Sequence, residues 1–235
     1  MEKKKLWWLV GIGIGCVVTI VLVVLALSGN ETDTFEGFES QMVNLHNYYR
    51  SEELPAEFRA SNMQALRWDQ QLAQEAKKLA QQCTYEHYTD GYGQNLYMDS
   101  GVQNVVDEEL VKKSLDSWAS ERFEDFPIAQ ERYQMDGQLM GPLRHYSAMV
   151  WAGTNRVGCA VGFCNAGFQG GWDRFVVCNY APAGNYHGQP WYEVGPPCSE
   201  CSNTTKCNDQ GLCVERAAFL LPFMNLLYPV NNSTL

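Results

Sequence analysis

The sequence predicts an α+β sandwich, with helices covering an antiparallel sheet, in a chain that is exported and stapled by disulfides. Three observations predict it. Apolar residues recur at helical spacing in three stretches, 38–50, 69–83 and 107–124. Two β-rich runs follow, Val157 to Phe163 and Arg174 to Tyr180, joined by a segment from Asn165 to Gly171 that holds three glycines. Eight cysteines, Cys83, Cys159, Cys164, Cys178, Cys198, Cys201, Cys207 and Cys213, form an even set that reads as four disulfides in an exported chain.

Export is read from the start of the chain. Residues 1–5 are basic, with Lys3 to Lys5, and form a short cytoplasmic tail. Leu6 to Leu27 then runs 22 residues without a charge, and about 20 such residues span a bilayer as a helix. The lysines favour a cytoplasmic N-terminus, so 6–28 is expected to be a retained signal anchor of a type II single-pass protein. The rival is a cleaved signal peptide, with small residues at Ala26 and Ser28 and a secreted product. Its apolar region is usually about 7–15 residues, shorter than this one. The ninth cysteine, Cys16, lies inside the span. Sequons at Asn30, Asn203, Asn231 and Asn232 fit a glycosylated, exported chain.

The whole chain carries a net charge of −10, and the part after the span is more acidic still, because Lys3 to Lys5 stay behind. Such a surface repels phosphates and excludes nucleic acid as a partner. It gains nothing from anionic lipid headgroups.

The elements follow in order. A polar linker covers 29–35. Met42, Leu45 and Tyr49 mark the inward face of a first helix, which Leu54-Pro55 ends. Asp69 suits the N-cap of a second helix. Its stripe of Leu72, Ala73, Ala76, Leu79 and Ala80 is rich in alanine, which implies close approach to a partner element. Thr84 to Gly101 shows little regular pattern; it contains His87 and Gly93-Gln94-Asn95-Leu96. Val111, Leu115 and Trp118 form the core face of a third helix over Asp107 to Glu124. Glu121 lies one turn on along the same face, where an unpaired buried charge is costly. It is read either as functional or as snorkelling to water from the edge of the stripe. A short helix follows in Arg144-His145-Tyr146-Ser147-Ala148-Met149-Val150-Trp151, with Tyr146, Met149 and Val150 on one face and His145 at its start. After the two strands, Cys198 to Cys213 packs four cysteines into a piece too poor in apolar residues to fold without staples. Cys198-x2-Cys201 is half of a zinc-site pattern, but no second pair follows at finger spacing.

Several motifs together carry a resemblance. Arg144 to Trp151 fits the first signature of the CAP superfamily, which comprises cysteine-rich secretory proteins, antigen 5 of insect venoms and plant pathogenesis-related proteins. Phe175-Val176-Val177-Cys178-Asn179-Tyr180-Ala181-Pro182-Ala183-Gly184-Asn185-Tyr186 fits its second. His46-Asn47-Tyr48-Tyr49-Arg50 and Leu66-Arg67-Trp68-Asp69 resemble its first two helix motifs. The four-cysteine segment is similar to the hinge of cysteine-rich secretory proteins and of the glioma pathogenesis-related group. The resemblance implies a three-layer α-β-α sandwich at 36–186 and a cysteine-rich hinge at 187–215, and 216–235 is read as a C-terminal tail. It implies the pairs Cys83-Cys164, Cys159-Cys178, Cys198-Cys207 and Cys201-Cys213.

It also implies a cavity of two histidines and two glutamates. The matching positions are His87, Gln94, Glu121 and His145, so one carboxylate is replaced by an amide. Gln94 can donate and accept hydrogen bonds but carries no charge. His87 and His145 stay eligible as metal ligands, and the expectation is a weakened site with no required cofactor, zinc at low occupancy, and stronger zinc binding in Gln94→Glu. A metal-dependent, protease-like hydrolase would use Glu121 as base. No nucleophile elbow or HExxH motif supports it, and Ser147 two residues after His145 is not a triad. The reading is a non-enzymatic extracellular binding protein for a lipid or sterol or for a protein partner, held to the membrane by its own N-terminal helix. A structural surface glycoprotein is the third class.

Overall fold

The eight residues Arg174–Ala181 are all buried, as a central strand covered on both faces must be. The structure, a computed structural model, describes residues 33–52, 58–88, 91–101, 104–122, 144–165 and 171–216. The elements are α1 (Asp33–Ser51), β1 (Arg67–Trp68), α2 (Gln70–Gln82), β2 (Gly93–Asp99), α3 (Glu108–Ser120), α4 (Arg144–Met149), β3 (Arg156–Phe163), β4 (Arg174–Ala181), β5 (Thr205–Cys207) and β6 (Cys213–Glu215). The sheet order is β1-β3-β4-β2. β4 runs antiparallel to both neighbours, pairing Cys178 with Cys159 on β3 and with Asn95 on β2.

Alternation along the strands assigns the layers. Val176, Cys178 and Tyr180 share one core with Met42, Leu115, Trp118, Tyr146 and Met149, from α1, α3 and α4. Phe175 and Val177 face the other way, onto Ala76, Leu79 and Ala80 of α2. This is the three-layer α-β-α sandwich. The alanine stripe meets two glycines of β3. A Cβ on Gly158 would lie 2.2 Å from the Ala73 nitrogen, and one on Gly162 would lie 1.9 Å from the Ala80 oxygen. Helix and strand touch backbone to backbone there.

Local chemistry fixes the helix starts. Asp69 caps α2 by accepting from Gln71 N and Leu72 N, a contribution of about 1 kcal/mol. Asp107 caps α3 through Leu110 N. The inward face of α1 differs from the expected one. Phe38, Met42, His46, Tyr49 and Arg50 are buried, whereas Leu45 is only partly so. Arg50 is 1% exposed and donates to four main-chain carbonyls, those of Gln64, Met149, Trp151 and Thr154. Burial pushes its guanidinium down to about 9, still protonated at neutral pH. It thereby ties α1 to the end of α4.

Two expectations need correction. Thr84 to Gly101 is not patternless, since β2 occupies Gly93–Asp99 within it. Its inward polar residues hid the strand. Asp99 is held by the buried guanidinium of Arg174 at 2.7 Å, and Asn95 donates to His145 O and the Tyr180 hydroxyl. The third helix is shorter than expected. It ends at Ser120 with Glu121 as its C-cap, and 123–124 lie outside the described residues.

Disulfides join Cys83 to Cys164, Cys159 to Cys178, Cys198 to Cys207 and Cys201 to Cys213. The first closes a separation of 81 residues, worth about 4.5 kcal/mol by chain entropy. The cysteine-rich segment is not detached from the body. Cys213 exchanges main-chain hydrogen bonds with Met63 and Ala65, and Leu212 and Tyr192 are buried in the main core. The expected span at 6–28, Cys16, residues 29–32 of the linker expected at 29–35, Asn30, Asn231 and Asn232 lie outside the described residues, and 33–35 are the start of α1 rather than linker. Among the described residues no helix is long and apolar enough to cross a membrane. Asn203 is exposed.

Candidate functional site

The four cavity positions form two pairs. Glu121 stands at the end of α3, and its side chain reaches the start of α4. Its Oε2 accepts from the main-chain nitrogens of His145 and Tyr146, both at 3.0 Å, and its Oε1 accepts from His145 Nδ1 at 2.5 Å. One carboxylate therefore caps a helix and orients an imidazole. This explains the acidic residue on the inward face better than either reading from sequence. With Nδ1 committed, Nε2 is the free nitrogen of His145. The ring stacks on Trp118 with centroids 6.4 Å apart, and Trp118 Nε1 donates to Leu96 O.

The second pair belongs to the loop before β2. His87 Nδ1 donates to Gln94 Oε1 at 3.2 Å, and Tyr88 N donates to the same oxygen at 3.2 Å. Gln94 Nε2 donates to Tyr88 O at 3.1 Å and to Asn179 Oδ1 at 2.9 Å. Gln94 thus clamps the main chain of Tyr88 from both sides. It uses its amide as donor and acceptor at once, which a carboxylate cannot do. Asn179 in turn donates to Leu72 O on α2.

Behind His145 lies a buried polar chain that sequence reasoning does not assign. Asn95 Nδ2 donates to His145 O at 3.0 Å and to the Tyr180 hydroxyl at 3.2 Å. That hydroxyl donates to His46 Nε2 at 2.9 Å, since His46 Nδ1 donates to Met42 O at 2.7 Å. Burial pushes the His46 imidazole down to about 4, so it is neutral, and burial raises the Tyr180 phenol. One signal was available. His46 and Arg50 lie at i+4 and i+8 from Met42, on an otherwise apolar face, where a polar side chain must be satisfied internally.

These hydrogen bonds bear directly on metal binding. His87, Glu121 and His145 do not bring one ligand atom each within 4.8 Å of one another; among the described residues only Cys198, Cys201 and Cys213 do so, and all three are in disulfides. Both Glu121 oxygens and Gln94 Oε1 already have donors. The donor set does not fit a centre with three side-chain ligands, and two imidazole Nε2 atoms are what remains for an ion. Nor is there a prepared nucleophile at Ser147. It is fully buried, and its hydroxyl donates to Asn185 Oδ1 at 2.7 Å, with Arg144 O at 3.2 Å.

Clefts lie elsewhere. One of about 400 Å³ runs between α1 and α3, lined by Leu45, Tyr48, Val111 and Lys112 among others. Another of about 380 Å³ lies beside the start of α2 and includes Tyr88.

The profile of the cysteine-rich secretory protein family, CAP, matches residues 43–180. Peptidase inhibitor 16 of Bos taurus is 35% identical over 210 residues, covering 85% of this chain and 41% of its own. Peptidase inhibitor R3HDML of Homo sapiens is 36% identical over 184 residues, covering 71% of this chain and 68% of its own. The chain therefore spans about two fifths of the length of the peptidase inhibitor 16 relatives. Among solved structures, NaASP2 with Zn2+ superposes with a TM-score of 0.64 at 26% identity, over 78% of this chain and 96% of that one. Na-ASP-1 gives 0.62 at 27% identity, over 76% of this chain and 46% of that one. With the two signature stretches on α4 and β4 and the sandwich they organise, this chain belongs to the cysteine-rich secretory protein (CAP) family.

Proposed function

We propose that this protein is an extracellular, non-catalytic binding protein whose cavity residues hold the scaffold in place. One observation carries the reading. Every polar atom of the Glu121 carboxylate and of the Gln94 amide is committed to neighbouring main chain or to side chains. A general base must be free to take a proton from a substrate, and Glu121 is capping a helix instead. Four disulfides suit an oxidising compartment, which agrees with membrane display through residues 6–28 or with secretion. Zinc, if held, rests on His87 and His145 alone and binds weakly.

The ligand in this proposal is a lipid or sterol in the groove between α1 and α3. Its volume of about 400 Å³ falls in the range of small-molecule sites, and Leu45, Tyr48 and Val111 present apolar surface to it. A protein partner is the second reading, favoured by relatives named as peptidase inhibitors. The test is native mass spectrometry of the purified chain after exposure to cholesterol and to palmitate. Leu45→Trp fills the groove and is expected to remove the bound lipid, while Glu121→Gln keeps it. Equal lipid retention by wild type and Leu45→Trp rejects the groove and leaves the protein partner.

A further inference from the structure

The cleft beside α2 is built from different chemistry than the groove. Its volume is about 380 Å³, and Tyr88 and Tyr92 lie on its loop side. Gln71 and Glu75 come from the first turns of α2, and Arg156 from β3. Tyr88 is 68% exposed, so its ring is offered to a ligand rather than to the core.

The charges of this cleft are already balanced. Arg156 Nη1 lies 2.7 Å from Asp69 Oδ2, and Lys78 Nζ lies 2.7 Å from Glu75 Oε1. An anion arriving here meets two carboxylates. A cation must compete with Arg156 and Lys78 for them. An uncharged ligand escapes both difficulties. Planar amide, carboxylate and guanidinium ends can each bridge neighbouring hydroxyl groups, and a tyrosine face offers a flat apolar surface. Vicinal hydroxyls on one edge and a C–H face on the other describe a pyranose ring. We propose that this cleft binds a neutral sugar, as a free monosaccharide or as the terminal residue of a glycan. The site is separate from the lipid groove and does not depend on it.

Gln94 acquires a role in this proposal as a positioning residue. It grips Tyr88 N and Tyr88 O together, and Asn179 anchors the grip to the sheet. The aromatic wall is thus fixed before a ligand arrives, which reduces the ordering cost on binding.

The experiment uses the full chain in a detergent without sugar headgroups. Saturation-transfer NMR is run with methyl mannoside, methyl galactoside and N-acetylglucosamine, and the same three sugars are presented as terminal residues on an array. At least one of them is expected to bind saturably, with transfer strongest at its ring C–H protons. Tyr88→Phe keeps the binding and Tyr88→Ala abolishes it. Because Tyr88 is exposed, neither change threatens the fold. Gln94→Glu keeps the acceptor for Tyr88 N but loses the donor to Tyr88 O, which loosens the ring and weakens binding by roughly tenfold. Binding on the array alone identifies a glycan, and binding to the free sugar identifies a monosaccharide site. Failure of all three sugars in both formats, or binding that survives Tyr88→Ala, overturns the proposal. Lipid retention by Tyr88→Ala is expected to match wild type, so the two sites fail or stand separately.

Discussion

Restoring a glutamate at position 94 is the sharpest test of how the cavity works. Counting carboxylates in the sequence gives one answer, a stronger zinc site. The structure gives another. The amide nitrogen of Gln94 donates to Asn179 Oδ1 at 2.9 Å and to Tyr88 O at 3.1 Å. Gln94→Glu removes both donors and turns a carboxylate toward two acceptors. Asn179 is fully buried and cannot simply flip, because its own nitrogen is bound to Leu72 O. Leaving its oxygen without a donor costs about 1–2 kcal/mol, and the more exposed bond to Tyr88 adds about 0.5 kcal/mol. A total near 2 kcal/mol lowers the melting temperature by roughly 4–8 °C in a chain of this size. The deficit depends on pH. Facing two acceptors disfavours the charged carboxyl, so its folded pKa lies above the unfolded value of about 4.3. Stability of that kind is present below the unfolded pKa and is lost as pH rises through the folded one. The gap between variant and wild type is therefore expected to be small near pH 4 and full at pH 7. Thermal melts at both pH values, with disulfides intact, measure it. A variant that melts with wild type at pH 7, or gains zinc affinity there by calorimetry, refutes the clamp.

Two further expectations concern the core. His46 has its folded pKa lowered by burial to about 4 from 6.5, so its contribution is present above pH 6.5 and is lost as pH falls toward 4, by about 3 kcal/mol in all. Denaturant titrations across that window are expected to slope steeply in wild type and less in His46→Gln; parallel profiles would show that another group governs acid stability. Gly162→Ala drives a methyl group into the Ala80 carbonyl and is expected to cost up to about 3 kcal/mol as α2 is pushed off the sheet, read as a lower denaturation midpoint. An unchanged midpoint would mean that helix and strand are not in backbone contact.

Sequence reasoning succeeded where the signal was local and failed where it was not. The α2 stripe is visible because five apolar residues repeat every three or four positions after an aspartate cap, and all five are buried. The paired strands β3 and β4 show through β-branched residues on both sides of a glycine-rich turn. β2 was missed because its polar residues have partners far away in sequence: Asn95 bonds to His145 O, 50 residues on, and Asp99 to Arg174, 75 residues on. The four cavity positions were legible through the resemblance, but their roles were not. Nothing near Glu121 in the sequence says that it caps a helix beginning 23 residues later, at Arg144. Nothing near Gln94 says that its amide holds Tyr88.

The geometry of β2 explains why the two pairs have different partners. Gln94 and Asn95 are adjacent in a strand, so their side chains leave on opposite faces of the sheet. Gln94 goes with Asn179 toward α2, and there it holds His87 and Tyr88. Asn95 goes with Tyr180 toward α1 and α4, and there it holds the carbonyl of His145. The register repeats the division on β4, where Asn179 pairs with Gln94 and Cys178 with Asn95. A carboxylate installed at position 94 would remain on the α2 side, while Glu121 and His145 face each other across the junction of α3 and α4. Adding charge at position 94 is expected to disturb the hold on Tyr88 and Asn179 before it adds a ligand for an ion. The residues that appear as a depleted metal site in the sequence form two hydrogen-bonded clamps in the structure, Glu121 on the start of α4 and Gln94 on the main chain of Tyr88.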